Sequence, residues 1–67
     1  MIPLSSSNLA SCDYSEETRT LTITFHSGDT WSYSDVDKSI YEGLVAASSP
    51  GRYFYRQIKG LYPGSQI

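Results

Sequence analysis

The chain has 67 residues, a single cysteine, a single histidine and a formal net charge of −2. One cysteine excludes an internal disulfide, and one cysteine with one histidine falls short of the four ligands of a structural zinc site. No apolar run approaches the roughly 20 residues of a membrane span. Met1-Ile2-Pro3-Leu4 passes at once into Ser5-Ser6-Ser7, so no signal-peptide core and no membrane contact are expected. The lone thiol suits a reducing, cytoplasmic setting.

Length predicts one small domain over residues 1–67, with a core over about 6–63 and frayed ends. A chain of this size buries only about 60% of the surface it exposes when unfolded. Its net stability is expected to be roughly 3–5 kcal/mol. Six Tyr, two Phe and one Trp are the expected source of core volume.

Residues 1–7 show no periodicity. Leu9 to Tyr14 alternates weakly, with Ala10, Cys12 and Tyr14 the expected inward set. Ser15-Glu16-Glu17-Thr18 reads as a turn, and residues 19–26 as the second strand. Leu21, Ile23 and Phe25 alternate there with Thr22 and Thr24, the period of a strand with one dry face. The chain returns through Trp31-Ser32-Tyr33.

The turn decides which face the aromatics take. A two-residue loop of Ser27 and Gly28 pairs Thr24 with Trp31 and puts both aromatics on the Thr face. A three-residue loop of His26, Ser27 and Gly28 pairs Phe25 with Asp29, Ile23 with Trp31 and Leu21 with Tyr33. The second is preferred, because its third position demands positive φ and holds a Gly. It predicts Trp31 and Tyr33 in the core with Leu21, Ile23 and Phe25. The opposite face becomes Thr20, Thr22, Thr24, Thr30, Ser32 and Ser34.

Asp35 and Asp37 are both candidate caps for a first helix, with Ile40, Tyr41, Leu44, Val45 and Ala47 as its buried stripe and Gly43 as a weak point that permits close packing. Ser49-Pro50 has the form of an N-cap followed by Pro at the first helical position. The second helix is expected to run to about Lys59 and stop at Gly60. On its wheel Phe54, Ile58 and Leu61 share one side, and Arg52, Arg56 and Lys59 the other, flanked by Tyr55. The expected fold class is α+β: a three-stranded antiparallel sheet, a β-meander, packed on one face by two C-terminal helices.

The order of these signals resembles the KTSC domain family, named for its place at the C-terminus of some lysyl-tRNA synthetases and also found as free-standing bacterial and phage proteins. The resemblance is carried by Ser6-Ser7, Tyr14, Leu21 and Phe25, Ser27-Gly28, Trp31-Ser32-Tyr33 and Val36. It continues through Tyr41 and Leu44, Ala46-Ala47-Ser48, Gly51-Arg52-Tyr53-Phe54, Ile58 and Tyr62-Pro63. Trp31 stands where the family has the first Tyr of Tyr-x-Tyr. Asp37 stands where a Pro often starts the helix, and Ser49-Pro50 where Ser-Lys-Gly is usual. The resemblance implies this same α+β fold and, through the synthetase, a suggestion of RNA binding.

Charge is unevenly spread. Residues 1–45 hold all seven acids against Arg19 and Lys38, and residues 46–67 hold only Arg52, Arg56 and Lys59. A basic helical face flanked by Tyr55 suits a phosphate backbone with a stacked base. The expected function is therefore a small non-enzymatic binding module that contacts RNA or nucleotide phosphates through Arg52, Tyr55, Arg56 and Lys59. The alternative is a protein-interaction module, such as a small phage-encoded inhibitor or adaptor that engages a host protein. An exposed sheet edge is an expected route to self-association.

Other constellations point less well. His26, Ser27 and Asp29 have the residue types of a hydrolase triad but crowd one tight turn. Cys12 and His26 form a pair only if their strands are neighbours. Glu16-Glu17 and Asp35/Asp37 read as solvated or capping acids. No cofactor is expected. Trp31 and Tyr33 have a second reading, as a stacking platform on an open sheet.

Overall fold

The hairpin turns as its Gly requires. The Phe25 N–H donates to the Asp29 carbonyl and the Gly28 N–H to the Phe25 carbonyl, each at 2.9 Å. Gly28 has φ +98°. Ile23 then faces Trp31 and Leu21 faces Tyr33. The computed structural model describes residues 2–67.

The sheet is a five-stranded antiparallel meander, not a three-stranded one. The elements are β1 (Ile2–Pro3), β2 (Leu9–Ser15), β3 (Thr20–Phe25), β4 (Thr30–Tyr33), α1 (Lys38–Ala46), α2 (Pro50–Gln57) and β5 (Gly64–Gln66). The strands lie side by side in the order β1-β2-β3-β4-β5. The two added strands replace the expected loose ends. Ile2 and Pro3 lie opposite Cys12 and Ser11 on an edge, where a Pro can be accommodated. β5 returns beside β4, with Gln66 opposite Trp31 and Gly64 opposite Tyr33. Flanking bonds from Ser34 N–H to the Pro63 carbonyl (3.0 Å) and from Ile67 N–H to the Thr30 carbonyl (2.9 Å) extend the pairing. Gly64 is placed by packing as well, since a Cβ there would lie 2.5 Å from the Tyr33 ring. Neither added strand has an alternating apolar pattern, and backbone pairing is the main interaction that makes each one. They also cover the long edges of β2 and β4, leaving two- and three-residue strands at the borders.

Three inward sets shift from expectation. Leu9 is 1% exposed and takes the place predicted for Ala10. A register shift between Leu9 and Ser11 changes parity there, which a strict period of two does not anticipate. Val45 is 37% exposed, because it lies about 100° around the helix from Leu44, on the flank of the side by which α1 packs on the core. Leu61 is 64% exposed. α2 ends at Gln57, and Gly60 at φ +82° redirects the chain, so helical spacing no longer applies at Leu61.

Both helices cover one face of the sheet. The core comprises Leu9, Cys12, Leu21, Ile23, Tyr33, Val36, Leu44, Phe54 and Ile58. Ser49 and Pro50 open α2 as predicted. Asp37 occupies the N-cap of α1 without a side-chain cap bond, and its carboxylate pairs with Arg19 instead. Lys38 pairs with Glu16, so two ion pairs tie the β2–β3 turn to the start of α1. The Tyr14 hydroxyl reinforces this junction by donating to the Val36 carbonyl at 2.6 Å, and its ring stacks on Tyr41 at 5.1 Å. Gly43 lies against Tyr53, where a Cβ would meet the phenol oxygen at 2.2 Å.

Tyr33 is buried, but Phe25 and Trp31 are only partly so. Phe54 meets Phe25 and Tyr33 edge-on, at 5.6 and 5.7 Å between centroids. The indole of Trp31 lies beyond that contact and is the rim of the core, not its interior. Leu44→Ala is therefore expected to cost about 2–5 kcal/mol, most of a domain of this size. Trp31→Ala is expected to cost less. Urea midpoints order the two variants, and the reverse order would return Trp31 to the interior.

Candidate functional site

The rim at Trp31 opens into a groove. Two adjoining clefts, of about 360 and 390 Å³, share Phe25, Trp31, Phe54 and Lys59. The first reaches the hairpin turn, with His26, Ser27 and Asp29, and Tyr55 on its helical side. The second continues past Tyr33 and Tyr62. Trp31 stacks on Tyr33 at 6.5 Å and 22°. The groove is thus walled by aromatic rings from β3, β4 and α2, with a lysine at its middle.

The four predicted contact residues are all exposed, and α2 divides them. Arg52 and Arg56, one helical turn apart, line a shallow cleft beside Tyr53 and the Ala47–Ser49 connection. Tyr55 and Lys59, also four residues apart, line the aromatic cleft. Tyr55 is 67% exposed, and the Lys59 ammonium sits 4.6 Å from its ring centroid. This contact holds the lysine at the groove by cation–π attraction. Arg19 and Lys38 are paired with carboxylates. Among the described residues, no ion pair engages Arg52, Arg56 or Lys59.

The turn residues face this groove without forming a catalytic relay. Ser27 Oγ donates to Asp29 Oδ2 at 3.3 Å, and Gln66 Nε2 donates to Asp29 Oδ1 at 3.1 Å. His26 Nε2 lies 2.9 Å from the Ser6 carbonyl, so that nitrogen carries the proton and turns to the loop, not to Ser27. Cys12 faces Ile23 across the ladder, three residues short of His26. Among the described residues no group of three or more His, Cys, Asp or Glu side chains is placed to hold a metal ion. No helix there is long and apolar enough to cross a membrane.

The sequence singled out neither Phe25 nor Asp29 as a contact residue, offered Trp31 only as a stacking platform with Tyr33, and gave no sign of Gln66, which reaches the groove's Asp29 from β5. The predicted Phe25–Asp29 pairing already put an acid beside an aromatic. Nothing in the pattern announced Gln66, because β5 carries no periodic signal.

The KTSC domain family model matches residues 5–62. The chain belongs to the KTSC domain family. A crystal structure of a KTSC domain protein from Yersinia pestis superposes with a TM-score of 0.93 at 34% identity, covering 97% of this chain and 92% of that one. A lysine–tRNA ligase from Nostoc punctiforme is 41% identical over 54 residues, and one from Trichormus variabilis is 39% identical over the same length. These matches cover 81% of this chain and 10% of each ligase, so this KTSC domain spans about a tenth of the length of those relatives.

Within this KTSC domain the Cys12 thiol is pushed above its ordinary value of 9.0 by burial, with Asp13 adding to the effect. Burial likewise raises the Tyr33 phenol. Both groups ionise first in the unfolded chain, so a rise in pH favours unfolding once the unfolded-state value is passed. The urea midpoint is expected to be level near neutrality and to fall above about pH 9. A midpoint that held or rose there would contradict the burial of these groups.

Proposed function

We propose that this KTSC domain is an RNA-binding module that holds backbone phosphates on Arg52, Arg56 and Lys59 and stacks a base on Tyr55. One observation carries this reading. Every cation in an ion pair lies at the β2–β3 turn and α1 junction, whereas the three cations of the α2 region have no carboxylate partner among the described residues. Unpaired cations beside exposed aromatic faces are what a single strand needs, because charge tracks the backbone and rings accept any base. The name of the ligase relatives adds support, since a lysine–tRNA ligase acts on an RNA. An RNA partner agrees with the cytoplasmic setting that a lone thiol suits. The net charge of −2 makes binding weak and oriented, with the acidic segment turned away from the strand.

The test is fluorescence anisotropy of a labelled single-stranded RNA across a salt series. Three neutralised phosphates predict a slope of log affinity against log salt near −2, falling by about 0.7 for each Ala substitution at Arg52, Arg56 or Lys59. Tyr55→Ala should weaken binding by about 1–3 kcal/mol and leave the slope unchanged. A folded triple-Ala variant that binds RNA like the parent would overturn the reading. So would a parent that binds no RNA, or partners from lysate that survive nuclease treatment and the triple substitution.

A further inference from the structure

We propose that the cleft at the hairpin end accepts an unpaired base and selects guanine. This rests on the RNA-binding reading and gives that site a specificity. The cleft holds about 360 Å³, within the roughly 300–1,000 Å³ of small-ligand sites. Phe25, Trp31 and Tyr55 line it, and each offers a ring face or edge to a planar base.

Its polar end is an acceptor. Asp29 lines the same cleft, and its carboxylate is held from two sides, by Ser27 Oγ on Oδ2 and by Gln66 Nε2 on Oδ1. An ionised carboxylate has about four lone-pair positions, so one on each oxygen stays open. Two parallel acceptors match two adjacent donors. Guanine alone of the four RNA bases presents such a pair on its Watson–Crick edge, at N1–H and the N2 amine. Adenine and cytosine each set a ring acceptor beside their amine, which faces the carboxylate unfavourably. Uracil offers one donor between two carbonyls. Lys59 lines both clefts, so it stands where a phosphate joining this base to its neighbour would run, with the Tyr33 and Tyr62 cleft continuing beyond.

Gln66 links this selectivity to the fold. It reaches Asp29 because β5 places it opposite Trp31. The strand that lacks a sequence signature thereby steadies the carboxylate beside the stacking ring.

Trp31 is the chain's sole tryptophan, so its emission reports a base stacked in the cleft. The probe is hexauridylate carrying a single G, A or C at its third position. The G-containing strand is expected to quench most and to bind about tenfold or more tighter than the A-containing strand. Asp29→Asn replaces an acceptor pair by an acceptor and a donor. It is expected to erase most of that preference while leaving the salt slope of RNA binding unchanged. Equal binding of the G and A strands would overturn the proposal without any variant, and so would a preference that survives Asp29→Asn. If RNA binds with the expected salt slope but without base preference, selectivity fails and the RNA reading stands. If no strand binds, both fall.

Discussion

Gly28 adopts φ +98°, and the register of the whole hairpin follows from that backbone conformation. In the three-residue loop Phe25 closes on Asp29, and Leu21, Ile23 and Tyr33 fall on the face that the helices cover. A slip of one residue would send that set to the Thr face and take from Leu44, Phe54 and Ile58 their apolar partners on β3 and β4. The same register sets Asp29 and Trp31 at one end of the sheet, two residues apart on the same strand face. Core and groove are therefore two consequences of one turn.

Charge is arranged with similar economy. The acid-rich segment uses Glu16 and Asp37 to hold Lys38 and Arg19, and those contacts fasten α1 to the β2–β3 turn. Such exposed pairs contribute little stability each, about 0–1 kcal/mol. Their larger consequence is that they neutralise the cations of that half. The cations around α2 are left to solvent and to the Tyr55 ring, so the domain presents a local positive surface within a net negative molecule.

The central hairpin, both helices and the charge asymmetry were legible because side-chain pattern encodes them directly. Gly28 named its loop, and Ser49-Pro50 named the start of α2. What stayed hidden was set by backbone and tertiary contact. β1 and β5 exist because β2 and β4 had free edges, and Gly-Ser-Gln carries no trace of that role. The irregularity at Ala10 exchanged it for Leu9, and Gly60 turned Leu61 outward. For the candidate site, Arg52, Tyr55, Arg56 and Lys59 were readable as a basic face with a ring. Their division between two sides of α2 depends on how that helix seats against Phe25 and the Ala47–Ser49 connection. The Asp29–Gln66 bond depends on β5 and could not be read without it.

The proposed RNA surface is the groove between the hairpin end and α2, together with the arginines on the other side of that helix. The most direct measurement is the perturbation of amide and indole resonances in the isotopically labelled domain on adding a short single-stranded RNA. Shifts are expected at the Trp31 indole, at Asp29 and along residues 52–59, with Thr22 and Ser32 on the opposite sheet face unmoved. Shifts centred on that Thr face or on the Glu16–Glu17 turn, with the groove silent, would contradict it.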